Sequence, residues 1–330
     1  MPGDWEQLEE SLSPYGSGLS VGVYQLIEDD KDPAARDRLL PIYTRNETLP
    51  LAIGSTFKLY VLGALAEAVG RGELAWDQNL AIEDARKSLP SGTMQNEPAG
   101  KEFPLSEYAA LMISISDNTA TDHLLHLVGR EKVEAYMPPL HTTPGLNKPF
   151  LSTRDLFNLK LGPDQEITRA YIAAAEPDRR AMLAPDGPVG SQTPNLGAAA
   201  TWILPRYIRE LEWFASVEDC STVMADLRRL EQRDGMAPLA AALRRNPGIP
   251  FDRETWTSIA FKGGSEPGVI NLTWLLERSD GAWYTISLTM NDPAKGIDQE
   301  RTIEIARNVI NLAAQEPDQR DARPGPGDGN

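Results

Sequence analysis

Cysteine is almost missing. Cys220 is the only one in 330 residues, so no intrachain disulfide can form. Histidine is nearly as scarce, with three in the chain. His123 and His126 share a helix face at a spacing that suits a metal, but no third ligand accompanies them, and surface or core histidines are the simpler reading. No Gly-x-Ser-x-Gly nucleophile elbow is expected, so a Ser-His-Asp triad finds no support. Basic residues are outnumbered, 32 Lys and Arg against 48 Asp and Glu, giving a net charge of −16. That excess argues against nucleic acid or an anionic membrane surface as a partner. No uninterrupted apolar run reaches membrane-spanning length. The N-terminal MPGDWEQLEESLSPYG has neither a basic region nor an apolar run, so it does not read as a signal peptide. A cytoplasmic protein and a secreted one with its leader removed both fit.

What stands out instead is Leu51 to Val69, LAIGSTFKLYVLGALAEAV, almost wholly apolar apart from Lys58 and Glu67. Such a stretch reads as a helix buried in the core, with Gly54 and Ser55 at its entry and Gly70 and Gly72 at its end. A lysine there is expensive unless it has a partner or a task. Ser55 lies three residues before Lys58, so both side chains fall on one helix face. Burial disfavours the charged amine and suits Lys58 to act as a base, while the helix N-terminus favours negative charge on the serine oxygen. Ser-x-x-Lys arises by chance about once in a chain of this length. Its weight therefore rests on the apolar setting and on partners further along.

Coarse patterning places a helix at Trp5–Leu12 and strands at Leu19–Ile27 and Leu39–Tyr43. Leu74–Lys101 reads as irregular surface. Helices follow at Leu105–Ser114, with Ser106 as cap, and at Thr119–Val128. Ser152-Thr153-Arg154-Asp155 resembles a capping box. Helical stretches from Ala170 to Arg245 are split by a loop at Ala184–Asn195, and Cys220 falls in one as a small buried residue. Strands at Thr257–Gly264, Val269–Arg278 and Trp283–Met290 form a meander, and Ile297–Ala314 is an amphipathic helix. On β alternation, Trp256, Ser258, Ala260, Lys262 and Gly264 share a face. The tail from Glu316 to residue 330 has a disordered composition. Strands at about 19–43 and 257–290, with a helical lobe at about 70–250 between them, give an α+β class. One unit over 1–315 would hold an antiparallel sheet built from both termini, flanked by helices, with a helical lobe inserted.

Three short motifs now stand in order: Ser55-Thr56-Phe57-Lys58 opening a buried helix, Ser116-Asp117-Asn118 in a turn between two helices, and Lys262-Gly263-Gly264 at the end of a strand. In order and context the chain resembles the serine β-lactamase and penicillin-binding protein superfamily, whose signatures are S-x-x-K, S-D-N and K-T-G. GSTFKLYVLGAL, SGTMQNEPAG and SISDNTATDHLLHLVGREKV look like class A β-lactamases, and the resemblance spans roughly residues 15 to 315. FLSTRDLFNLKL and WFASVEDC are similar to the β-lactamase-like proteins of clavulanic acid biosynthesis, in which a further N-terminal domain precedes this region.

The resemblance implies a β-lactamase/transpeptidase-like fold and a serine hydrolase acting on a small-molecule β-lactam or ester, with no cofactor and no metal. Ser55 would form the acyl-enzyme and Lys58 would take its proton. Ser116 would relay the proton to the leaving group, and Lys262 would hold Ser116 and a substrate carboxylate. Asn118 would contact a substrate amide, or cap the next helix. The backbone N–H groups of Ser55 and Ser265 would form the oxyanion hole, with Gly264 leaving room for substrate. Two departures matter. Gly263 replaces the hydroxyl residue of K-T-G, so Ser265 would supply that hydroxyl. And the interval from Asn118 to Ser152 is short for a full Ω-loop, with no acid between Glu134 and Asp155, so the deacylating glutamate of class A enzymes is expected to be missing. Slow turnover then follows, as in a penicillin-recognising binding or biosynthetic accessory protein, or as in a D-alanyl peptide hydrolase; alternatively Lys58 activates water itself, as in related esterases.

Overall fold

The computed structural model describes residues 2–28, 32, 36–192 and 201–320. Helix α1 (Trp5–Leu12) leads into strand β1 (Leu19–Ile27), which turns back as β2 (Arg38–Arg45). The C-terminal meander supplies β7 (Trp256–Glu266), β8 (Val269–Arg278) and β9 (Trp283–Asn291), followed by the last helix, α11 (Gln299–Gln315). The sheet order is β2-β1-β9-β8-β7, antiparallel throughout, so the two ends of the chain meet where Leu19–Leu26 pairs with Trp283–Met290. Both faces of the central strands are covered, so β1 and β9 are buried along nearly their whole length, polar residues Ser20, Gln25, Thr285, Ser287 and Thr289 included. One face packs on α1 and α11 through Leu8, Leu12, Ile305 and Val309, the other on the helical lobe.

The Gly-x-Ser-x-Gly letters do occur, at Gly18 to Gly22, against expectation. Ser20 there is buried in mid-strand opposite Thr289, so it forms no nucleophile elbow. A further correction concerns Trp256. A bulge between Trp256 and Ser258 turns Trp256 to the α11 side, where it packs edge-on against Tyr284, while Ala260 faces the helical lobe.

The apolar central stretch is not one helix. Leu51–Ala52 is a short strand β3, paired with β6 (Phe214–Ala215), and the chain then tightens into a 3₁₀ turn at Gly54–Phe57 before α2 (Lys58–Gly70). Around α2 pack α3 (Leu105–Ser114), α4 (Asn118–Val128), α5 (Arg130–Tyr136) and α9 (Val217–Glu231). Ser106 does not cap α3. The chain runs directly from β5 (Glu102–Pro104), which pairs with β4 (Asn79–Ala81) in the stretch expected to be irregular, and Pro104 takes the cap position. Two small helices, α7 (Gln165–Ala173) and α8 (Glu176–Met182), lie beyond α6 (Thr153–Leu161), and α10 (Ala237–Arg244) precedes the meander. The latter part of the expected Ala184–Asn195 loop falls outside the described residues. So do residues 321–330 of the expected disordered tail; its first residues are ordered, because Gln25, buried in β1, bonds Asp318 at 2.6 Å and Gln319 N at 2.9 Å.

The capping box is as read: in α6 (Thr153–Leu161), Ser152 accepts from Asp155 N at 3.0 Å and Asp155 from Ser152 N at 2.9 Å. Arg130 adds an ion pair to Asp155 at 2.8 Å. Ser152→Ala is expected to lower unfolding stability by about 1 kcal/mol in urea denaturation. A null change would mean that Asp122, which also holds the start of this helix, carries the cap alone.

Candidate active site

The 3₁₀ turn sets Ser55 at the mouth of a cavity of about 550 Å³ whose lining includes Ser116, Asn118, Lys262, Gly264 and Ser265. All seven residues singled out in the three motifs and beside them thus converge, with Lys58 directly behind this wall. Lys58 is fully buried, and its Nζ donates to Ser116 O at 2.7 Å, Ser116 Oγ at 3.0 Å and Asn118 Oδ1 at 2.7 Å. Among the described residues Ser55 Oγ makes no hydrogen bond. The serine–lysine contact expected from helix spacing is replaced by this three-acceptor grip from the α3–α4 turn.

Burial, and then the positive charge of Lys262, hold the Lys58 amine well below the ordinary lysine range. Three donations are those of an ammonium. On losing a proton the amine would keep its two N–H groups on Ser116 O and Asn118 Oδ1, which can only accept, and turn its lone pair toward Ser116 Oγ. Ser116 Oγ in turn accepts from Lys262 Nζ at 3.1 Å. Burial pushes Lys262 down to about 7. Ser116 is held in the left-handed region, at φ +59°, a costly conformation for a residue with a side chain. It is fixed there by Lys58 and by Ser91 Oγ, which donates to its carbonyl at 2.9 Å.

Asp117, not Asn118, caps α4. Its carboxylate accepts from Ala120 N at 2.8 Å and from Thr93 N and Met94 N at 2.6 and 2.8 Å, tying the 90s loop to the site. Asn118 lines the cavity, with its Oδ1 held by Lys58 and its Nδ2 donating to Leu89 O at 3.3 Å.

The strand edge approaches the turn very closely. A Cβ on Gly264 would lie 2.1 Å from Ile53 O and 2.4 Å from Ser55 N, and one on Gly54 would lie 3.1 Å from Ser265 N. The backbone N–H groups of Ser55 and Ser265 therefore sit on two segments in van der Waals contact, a geometry suited to cradling an oxyanion. The departure at Gly263 has a packing cause. A Cβ there would meet the Phe261 ring at 2.8 Å, a ring set against Trp274 with centroids 5.0 Å apart.

His123 is a core histidine, in line with the simpler reading. His123 Nδ1 bonds Thr119 O at 2.7 Å and Nε2 accepts from Glu83 N at 2.9 Å, so both ring nitrogens are used. Sequence reasoning also missed two acids. Glu212 and Glu266 line a smaller lobe that opens beside Ser55. Strand alternation held the signal for one of them, since Glu266 shares a face with Lys262 and Gly264; Glu212 lies in a loop that no pattern marks.

A family model described as "Beta-lactamase enzyme family" matches residues 6–313. The chain belongs to the β-lactamase enzyme family. Among solved structures, a β-lactamase from Sphaerobacter thermophilus is 20% identical, with a TM-score of 0.60 over 95% of this chain and 99% of that one. PBP-A, seen in one structure as a mutant's acyl-enzyme complex with penicillin G, is 18% identical, with a TM-score of 0.59 over 94% of each chain. The extended-spectrum β-lactamase TLA-1 is 15% identical, with a TM-score of 0.61 over 94% of this chain and 98% of that one. At these identities the likeness is one of fold. A comparison with curated proteins gives no match. The α+β architecture of this β-lactamase-family chain, with its sheet drawn from both termini, is that of serine β-lactamases and penicillin-binding proteins.

Proposed function

We propose that the protein is a serine hydrolase that opens β-lactams or simple esters through an acyl-enzyme at Ser55. The observation that carries this reading is Ser116 Oγ suspended between Lys58 Nζ at 3.0 Å and Lys262 Nζ at 3.1 Å. A substrate carbonyl bound in the cradle of the Ser55 and Ser265 N–H groups would be attacked by Ser55 Oγ. Neutral Lys58 would take the hydroxyl proton and pass it through Ser116 to the departing nitrogen or oxygen. The Lys262 ammonium would hold a carboxylate on the leaving-group side, with the Ser265 hydroxyl beside it. Asn118 would contact the acyl amide.

A second reading, recognition with little turnover, has its own observation. Acids near the expected Ω-region are committed elsewhere: Asp155 to its cap and Arg130, Glu134 to Phe150 N at 2.8 Å and to Arg180 at 2.5 Å. A D-alanyl peptide hydrolase would share this machinery.

Intact-protein mass followed over time with a penicillin and a cephalosporin, beside Ser55→Ala, tests both. Substrate loss with a transient adduct absent from Ser55→Ala supports the hydrolase. A persistent Ser55-dependent adduct supports recognition with slow release. No adduct with either drug, from a folded protein that also spares simple esters, would overturn the proposal.

A further inference from the structure

The lobe beside Ser55 has a volume of about 230 Å³ and differs in character from the main groove. Its sides are apolar and aromatic, formed by Leu156, Phe157, Trp202 and Trp213, and its floor is acidic, formed by Glu212 and Glu266. Both carboxyls are buried, with side chains 0% and 7% exposed. They share a single cation: Lys160 of α6, itself fully buried, donates to Glu212 Oε1 at 2.6 Å and to Glu266 Oε1 at 2.5 Å. Glu212 Oε2 takes the backbone N–H of Trp213 at 3.1 Å. Glu266 and Glu212 are also hydrogen-bonded to each other, carboxyl to carboxyl. The count is two carboxyls against one ammonium in a low-dielectric wall, an arrangement one cation short. Burial, and then Glu212, push the Glu266 carboxyl well above its usual range.

Resting on the hydrolase reading above, we infer that this lobe is the acyl-side subsite and takes a substrate side chain ending in an alkylammonium. The ammonium replaces the missing cation against Glu266 while its methylene stem lies along Trp213, Phe157 and Trp202. Aromatic faces tolerate such a cation, as the Lys160 Nζ 5.7 Å from the Trp202 ring already illustrates. Lys262 lines the main groove and not this lobe, so the two cavities that share Ser55 differ in charge. Together they hold a positive group for a carboxylate on the leaving side and negative groups for an amine on the acyl side, and so fit a zwitterionic substrate.

Two readouts separate this inference from the reading beneath it. In the first, 5-aminopentanoyl penam and its N-acetylated counterpart compete to acylate the wild-type protein. The ammonium form is expected to react at least tenfold faster by kcat/KM, a ratio lost in Glu266→Gln and reduced in Trp202→Ala, a wall residue outside the ion cluster. The second needs no acylation: in Ser55→Ala, calorimetric binding of 3-phenylpropylammonium is compared with its N-acetyl derivative. Tenfold tighter binding of the ammonium supports the subsite even if no penam acylates the enzyme, in which case the hydrolase reading alone fails. Equal affinities and equal acylation rates overturn the subsite and leave the hydrolase standing.

Discussion

Lys58→Met is expected to slow acylation by about a thousandfold, within the range set by removing a general base. Methionine keeps the stem in the α2 core and removes only the amine, so the loss reports chemistry rather than packing. Ser116 O and Asn118 Oδ1 lose a donor, which moves them little because Ser91 Oγ still donates to the first. Stopped-flow acylation by a chromogenic cephalosporin measures the rate. The wild-type pH profile carries the matching signature. Lys58 must be neutral, and burial holds its amine well below the ordinary lysine value of 10.5, so the rate rises with pH below the range in which a free lysine titrates. Lys262 must be charged to hold a carboxylate, and its amine sits at about 7, so the rate falls again as it titrates. The two lysines meet at Ser116 Oγ, and the apparent values belong to the pair. Lys262→Gln should abolish the falling limb. A rising limb still climbing above pH about 9, where an unperturbed lysine titrates, would remove Lys58 from the role of base.

Gly264→Ala should be nearly as damaging, through geometry alone. The added carbon would fall 2.1 Å from Ile53 O, 2.4 Å from Ser55 N and 2.7 Å from Thr56 N. All three are backbone atoms that cannot turn away, so β7 or the 3₁₀ turn must shift. Displacing an oxyanion donor costs about 10²–10³-fold in rate, and forced overpacking adds about 1–3 kcal/mol of lost stability. Acylation rate and urea midpoint measured on the same preparation separate the two. A variant that acylates within about tenfold of wild type would mean that this approach does not set the oxyanion geometry. Gly263→Thr makes the instructive contrast. Its Cβ meets a movable Phe261 ring at 2.8 Å rather than backbone, so a milder effect is expected.

The three motifs were readable because each is local: a buried lysine one turn after a serine, a turn between two helices, a strand ending in glycines. The capping box at Ser152 and the meander were local too. What escaped the sequence depends on partners distant along the chain. Helix spacing joins Lys58 to Ser55, yet the amine turns to Ser116 and Asn118, 58 and 60 residues away. Asp117 caps α4 because its carboxylate also gathers two amides of the 90s loop, a demand invisible at the tripeptide. Leu51–Ala52 looked helical by hydrophobicity but has a strand partner at Phe214–Ala215. Trp256 changed faces through a bulge that alternation cannot foresee. Glu212, Glu266 and Lys160 come from three separate segments, and only the fold makes them a cluster.

The pairing of β1 with β9 also constrains how the protein is born. β1 ends at Ile27, and its second neighbour begins at Trp283, so more than two hundred residues emerge from the ribosome before the sheet can close. Until then the Leu19–Ile27 strand presents an apolar, hydrogen-bond-hungry edge with only the β2 hairpin beside it. Such long-range pairing is slow to form. The core around α2 also draws on Leu26, Ala260 and Leu275 of the sheet, so it too is complete only with the last strands. The Ser55 turn stays half-built until then, because Gly264 and Ser265 belong to β7. The candidate site is therefore assembled late in synthesis, when β9 reaches back to β1.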